Sequence, residues 1–405
     1  MCRYMQSDLW IGSLETATKT VRLTACAGVR DSTYCGAVTD PGNERLRGAQ
    51  DATRRAGLDA LLITPGPDLR YLTGYDAIAL ERLTCLVLPA AADPVVVVPK
   101  LEEPAAIASP IGANGLTVLS WAETDNPYEL VASLLPPAAA VGLDDHMWAA
   151  TVLGLRGAMP QAVQSLAGAV LRELRIRKSP DELSALRAAG AAIDAVHAAV
   201  PTWLKAGRTE VEIGRDIADA IIGSGHAAVD FVIVASGPNS ASPHHEVSDR
   251  RIRDGDLVVV DIGGSMPGGY CSDSTRTYAV GRPPPDAVRA YQVLKDAQDA
   301  ACLAVAPGVS CSSVDLAARE PIANAGYGEL FIHRTGHGIG LETHEDPYIV
   351  AGNDRPLEPG MAFSIEPGIY LPGTFGARIE DIVVCTESGH ERLNHRPRDL
   401  VLVDA

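Results

Sequence analysis

"DLVVVDIGGSMPGGYCSDSTRTYAV", residues 256 to 280, reads as strand, turn and strand, with Asp261 closing the first apolar run and Asp273 opening the second. If the two runs fold back symmetrically, the midpoint between 261 and 273 is residue 267. Pro267-Gly268-Gly269 stands there, where closure needs turn residues. Directly opposed residues of an antiparallel pair share a face, so both aspartates are expected on one side of the hairpin.

The same arithmetic applies to "MAFSIEPGIYLPGTFGARIEDIVV", residues 361 to 384, where Glu366 and Glu380 have their midpoint at Gly373 within Leu371-Pro372-Gly373-Thr374. A second hairpin presenting two glutamates on one face is expected. A slip of one residue in its irregular loop would send one glutamate to the opposite face. Like charges opposed across strands are destabilising, so a cation belongs between them.

One acidic pair alone reads as a solvated surface feature. Two pairs, with "HRTGHGIGLETHEDPY" (333–348) between them, point to a metal site. His333 and His337 have the i, i+4 spacing of a helical zinc pair, but Gly336, Gly338 and Gly340 make a continuous helix costly there. A histidine-bearing surface loop is the other plain reading. Four carboxylates and an imidazole suit hard or borderline ions such as manganese, cobalt or zinc, and shared carboxylates can bridge two of them.

Further out, strand-like runs at 229–235, 256–262, 275–280, 361–366 and 378–385 and helical stretches at 285–305 and 312–325 are grouped rather than alternating. That grouping favours an α+β fold with an antiparallel sheet. Ser179-Pro180 with Glu182, and Thr209 with Glu212, form capping boxes that open two helices. Upstream, "NERLRGAQDATRRAG" is helix-like, and "LDALLIT", "RLTCLVLP", "DPVVVVP", "GLTVLSW" and "AAAVGLD" are strand-like, which argues for a smaller α/β layered domain. The expected division is a disordered extension over 1–42, the α/β domain over 43–172 and the site-bearing domain over 173–405.

With 51 acidic against 34 basic residues the formal net charge is −17, which repels nucleic acid and anionic membranes. No stretch reaches the ~18 apolar residues needed to span a bilayer, and the amino terminus lacks a secretory pattern, so a cytoplasmic protein is expected. The eight cysteines contain no C-x-x-C pair and read as reduced, mostly buried thiols, Cys271 among them. No G-x-S-x-G element supports a serine hydrolase.

"VVVDIGG", "SDSTRTY", "HRTGHGIGLETHE", "SIEPGIY" and "RIEDIV", in this order, resemble the signature of the M24 pita-bread metallopeptidases: Xaa-Pro dipeptidase, aminopeptidase P, methionine aminopeptidase and creatinase. The resemblance covers about 179–400, with a weaker likeness of the preceding domain to the creatinase and prolidase amino-terminal domain. It implies two divalent ions, manganese first and cobalt or zinc as alternatives, held by Asp261, Asp273, His337, Glu366 and Glu380. Asp273 and Glu380 would bridge, Asp261 would complete one ion, and His337 with Glu366 the other. It further implies Glu366 as proton shuttle, His244 and His344 as donors to the reacting amide, and His333 and Arg378 on the substrate side. The glycines of 336–340 are expected to let the backbone approach the metals closely. His226, His245 and His390 are expected to be ordinary core or surface histidines.

By the same resemblance the substrate is a small peptide cleaved before proline and the chain is a homodimer; the acidic cluster suits a free amino terminus, and the charge and apolar pattern leave no place for nucleic acid or membrane. Xaa-Pro dipeptidase is the first reading and aminopeptidase P on longer peptides the second. Some prolidases carry a carboxylate-binding arginine where this chain has Tyr348. A metal-free pita-bread binding protein and a creatinase-type hydrolase are the remaining alternatives, and the five ligand-type residues argue against both.

Overall fold

A computed structural model describes residues 41–404. The extension expected over 1–42 lies almost wholly outside them. The first sheet comprises β1 (Ala60–Ile63), β2 (Cys85–Pro89), β3 (Val95–Pro99), β4 (Thr117–Trp121), β5 (Ala140–Leu143) and β6 (Val163–Leu166), in the spatial order β4-β3-β2-β1-β5-β6. It is mixed, with β1–β5, β5–β6 and β3–β4 parallel and β2 antiparallel to both its neighbours. Both faces are buried, and alternate residues enter separate cores. Leu61, Ile63, Leu86 and Leu88 pack with Leu69, Leu72 and Leu171. Leu62, Cys85, Val87 and Val141 pack with Trp121, Val131 and Leu155 on the other side. β6, absent from the sequence reading, is a mostly exposed edge strand with no apolar run to betray it.

Two further sheets carry the carboxylates. One has the order β17-β9-β8-β7, from β7 (Ala228–Ser236), β8 (Leu257–Ser265), β9 (Cys271–Val280) and β17 (Val401–Val403). The other has the order β11-β10-β12-β15-β16, from β10 (Gly336–Gly338), β11 (Glu345–Ile349), β12 (Ala362–Ile365), β15 (Asp381–Thr386) and β16 (Gly389–Arg392). A ribbon of β13 (Gly368–Leu371) and β14 (Phe375–Arg378) continues from β12 and β15. Every strand pair in these sheets is antiparallel except β9–β17, in keeping with the expected α+β class.

Helices lie outside the sheets. Helix Pro180–Trp203 buries Ile193, Val196 and Val200 with Ile213, Ile217 and Ile221 of helix Glu210–Gly223 and with Val258, Val260 and Tyr278 of the first of these sheets. Helices Pro285–Ala304 and Cys311–Asn324 supply Tyr291, Leu294, Val314 and Ile322 to a core with Phe363, Ile365 and Val383. Both expected capping boxes form, with Ser179 and Glu182, and Thr209 and Glu212, satisfying each other's backbone N–H groups. Helix Pro180–Trp203 is long and apolar enough to cross a membrane by length and composition, contrary to the expectation that no stretch is. Here it is a core helix whose His197 bonds Tyr278 and the Ser274 carbonyl.

Candidate metal centre

The site forms where the two carboxylate hairpins meet β10. In the first hairpin Asp261 lies opposite Thr275, and Asp273 opposite Gly263. The expected direct opposition of the aspartates is therefore corrected: closure is centred on residue 268 rather than 267, with Gly269 in the left-handed region at φ 87°. A shift of the centre by one moves the pairing by two, so the aspartates become diagonal neighbours and keep a common face. The second hairpin keeps its expected register. Leu371 pairs with Phe375 and Ile365 with Asp381, both centred on Gly373, and the left-handed Gly373 (φ 71°) makes the turn.

Between these pairings, at Glu366 and Glu380, the ladder opens. The Glu366 N–H donates to the Thr335 carbonyl and the Glu380 N–H to the Thr275 carbonyl. Each glutamate is thus tied to a strand carrying another ligand-type residue, Thr335 two positions before His337 and Thr275 two after Asp273.

The glycines of β10 have a packing role that the sequence did not show. A Cβ at Gly336 would collide with the Ser364 carbonyl oxygen, and one at Gly338 with the Asp346 carbonyl. Their smallness lets β10 fit between β11 and β12.

Asp273, His337 and Glu380 present ligand atoms within 4.8 Å of one another, all buried. His337 Nε2 lies 3.1 Å from Glu366 Oε1 and 3.6 Å from Asp273 Oδ2. With its Nδ1–H donated to the Gly338 carbonyl at 3.1 Å, the ring turns the Nε2 lone pair toward those carboxylates, an arrangement only a cation or proton makes favourable. Two carboxylate atoms, Asp261 Oδ1 and Glu380 Oε1, are buried without a hydrogen-bond partner. Burial first, then repulsion from the neighbouring acids, pushes the Asp273 and Glu380 carboxyls well above the usual range. Burial also raises Glu366, but the hydrogen bond and charge of His337, then His333 and Arg378, outweigh it and hold that carboxyl low. Oxygen-rich, anionic and partly unpartnered, this donor set fits divalent cations.

These residues line a cavity of about 380 Å³ with Phe231, Ile233, His244, Thr343, His344 and Arg378. His244 and His344 are solvent-exposed, and His344 packs edge-on against His337 with ring centroids 4.0 Å apart. Partial desolvation of its ring inside the cavity, then the neighbouring His337 and Arg334, hold His344 down at about 4. Arg378 is saturated: it bonds Asp261, the Thr275 hydroxyl, the Tyr370 hydroxyl at 2.8 Å and the Pro243 carbonyl. His333 lines an adjoining cavity with both ring nitrogens engaged, Nδ1 on the Arg334 carbonyl and Nε2 on Tyr370.

Sequence reasoning missed Tyr370, which joins His333 to Arg378, and Thr275, which joins Arg378 to Glu380. Both lie in quoted motifs, but a hydroxyl has no spacing signature of its own. His245, expected to be ordinary, bonds the buried Glu210 at 2.8 Å, and His226 bonds Ser272. Cys271 is a buried free thiol.

The family model "Metallopeptidase family M24" matches residues 184–387, and "Creatinase/Prolidase N-terminal domain" matches 45–177. The chain is 54% identical over 360 residues to the "Probable dipeptidase PepE" of Mycobacterium tuberculosis, covering 89% of this chain and 96% of that one. It is 37% identical over 346 residues to the "Xaa-Pro dipeptidase" of Lactobacillus helveticus, covering 83% and 92%. The crystal structure of dipeptidase PepE from Mycobacterium ulcerans superposes with a TM-score of 0.87 over 90% of this chain and 98% of that one, at 54% identity. A buried acidic cavity on this scaffold, matched in sequence and in shape to dipeptidases along nearly the whole described chain, places the protein in metallopeptidase family M24 as a peptidase.

Proposed function

We propose that this peptidase hydrolyses the bond before proline in Xaa-Pro dipeptides, using two divalent ions held by Asp261, Asp273, His337, Glu366 and Glu380. The carrying observation is the unanswered negative charge: buried Asp261 Oδ1 and Glu380 Oε1 lack any partner in a cluster of four acids that contacts a single arginine. The Lactobacillus helveticus relative, named an Xaa-Pro dipeptidase, supports the substrate class. When bound, such ions lower the pKa of a water from 15.7 toward about 7 and polarise the scissile carbonyl.

In this reading Asp261, Asp273, His337, Glu366 and Glu380 would hold the ions, which would supply an activated water and a polarised carbonyl. Glu366 Oε1 is occupied by Ser364 and His337, so Oε2 would take the proton that water gives up as its oxygen bonds the scissile carbon, and return it to the proline nitrogen as the C–N bond breaks. His244 and His344, at the exposed side of the cavity, donate to the carbonyl oxygen as it gains charge. His333, through Tyr370, orients Arg378, which in turn holds Asp261. Phe231 and Ile233 offer an apolar wall to the pyrrolidine ring, which has no N–H to satisfy. The substrate's ammonium would donate to a carboxylate oxygen that the metals do not fully neutralise. Manganese as the resident ion, residues 43–172 and 173–405 as the two functional domains, a homodimer and a cytoplasmic location belong to the same proposal.

Dialysis against a chelator should abolish Ala-Pro cleavage, and manganese or cobalt should restore it. Full cleavage by the stripped enzyme rejects the mechanism. Tyr348, at the place of a carboxylate-binding arginine in some prolidases, favours a second reading, aminopeptidase action on longer peptides. Rates on Ala-Pro and Ala-Pro-Ala separate the two.

A further inference from the structure

The cavity beside the acidic cluster holds a second guanidinium besides Arg378. Arg334 lines a space of about 300 Å³ together with Pro243, His244, His333, His344 and Glu366. Its guanidinium lies over the ring of Tyr348, 4.4 Å from the centroid. Among the described residues it forms no ion pair and donates no hydrogen bond, in a chain whose formal net charge is −17. Arg378, by contrast, has its donors committed to four protein groups.

The support under Arg334 is rigid. Tyr348 belongs to β11, and its carbonyl accepts from Asn353 Nδ2 at 2.6 Å. The Arg334 carbonyl is itself tied to His333 Nδ1 at 2.7 Å. A guanidinium lying flat on an aromatic face keeps its edge N–H groups free, and that edge is the part that forks onto a carboxylate.

We propose that Arg334, stacked on Tyr348, binds the terminal carboxylate of the dipeptide and so sets the length of substrate this enzyme prefers. The idea rests on the dipeptidase reading above. An extended dipeptide spans at most about 7 Å, so a substrate with its ammonium against the acidic cluster keeps its carboxylate inside the same pair of cavities. There the carboxylate needs a cation whose donors are not already committed. Arg334 is the described residue in that space that offers them. A longer peptide would carry a neutral amide at this point and gain nothing from the charge.

The test uses the metal-loaded full-length enzyme and dipeptides paired with their amides, Ala-Pro with Ala-Pro amide and Ala-Leu with Ala-Leu amide. The native enzyme should prefer the free acid, with the preference residing mainly in KM. Arg334→Met should cut the acid-to-amide ratio of kcat/KM by about 10–100-fold, the scale of a charge-assisted hydrogen-bonded pair. Arg334→Lys should recover part of the ratio, and Tyr348→Leu, which removes the stacking surface, should fall between native and Arg334→Met. A general loss of folding lowers acid and amide together and leaves the ratio unmoved, so an unchanged ratio in Arg334→Met overturns the proposal. Cleavage of Ala-Leu as well as Ala-Pro would overturn the proline preference while the ratio still reads the carboxylate contact. Failure to cleave any dipeptide overturns the parent reading and this one with it.

Discussion

Replacing Glu380 by glutamine is expected to stabilise the metal-stripped enzyme at neutral pH while removing its activity. Glu380 Oε2 accepts from the Thr275 hydroxyl at 2.8 Å, and Oε1 is buried without a partner near Asp273. Glutamine keeps the volume and the acceptor for Thr275, and turns the orphaned side into an N–H donor toward the Asp273 carboxylate. The relief is roughly 1–4 kcal/mol, as for other buried charges replaced by neutral groups of similar size. The pH dependence has a definite sign. Burial, then mutual repulsion, raises the Asp273 and Glu380 carboxyls in the fold above their ordinary 3.8 and 4.5. Their contribution to stability is thus fully present below about pH 4 and is lost as pH rises through the folded values. Thermal unfolding in chelator, followed by circular dichroism from pH 4 to 8, should show the native protein losing stability with rising pH through these two groups, and Glu380→Gln losing less. Added metal reverses the order: at a hundredfold excess over its Kd a bound ion stabilises by about 2.7 kcal/mol, which the variant largely forgoes. A variant less stable than native in chelator at pH 7 would refute the account of Glu380 as an uncompensated buried charge.

Three other substitutions follow from the geometry. Gly336→Ala should lose about 1–3 kcal/mol in urea unfolding, because its Cβ meets the Ser364 carbonyl oxygen; a stability within error of native would show that β10 can shift freely. Tyr370→Phe should lower kcat about tenfold with unchanged metal content by mass spectrometry, since it cuts the link from His333 to Arg378 and leaves the ligand-type side chains in place. Arg175→Met should cost about 3–5 kcal/mol, again by urea unfolding, because it strands the buried Asp68 and leaves Glu345 with Lys178 alone.

The site was legible where chemistry and turn geometry are local in the chain. Turn residues located both hairpins, and the period of two along a strand kept each acidic pair on one face even when the first turn closed one residue later than symmetry suggested. Helices announced themselves through caps, as at Ser179 and Thr209. Three features were not legible, each for a physical reason. β6 is an exposed edge strand held by backbone pairing to β5, which leaves no hydrophobic alternation to read. The glycines of 336–338 answer to carbonyls on β11 and β12 that only the sheet order brings near. Tyr370, Thr275 and Arg334 act through partners far along the chain or on another strand, so no spacing rule selects them.

Why one acidic cluster is the candidate metal centre and its neighbour is not turns on charge, which sequence pattern alone does not rank. Asp68, Glu342 and Glu345 lie close together between the first sheet and β11, and Arg175 contacts all three while Lys178 contacts Glu345. Three carboxylates face two cations there, leaving one formal negative charge, and burial raises the Asp68 carboxyl. In the candidate centre four carboxylates face Arg378 alone, leaving three, and two of the acids are driven strongly upward. A single divalent ion would still leave that cavity negative, whereas two carry it just past neutrality. The residual positive charge is what a carbonyl oxygen gaining electron density, or a substrate carboxylate held by Arg334, would find favourable. The first cluster is nearly neutralised by the protein itself and joins helices Pro67–Thr73 and Gly168–Arg175 to β11. The second folds with a deficit that the protein cannot cancel, and that deficit is the physical basis for reading it as a site.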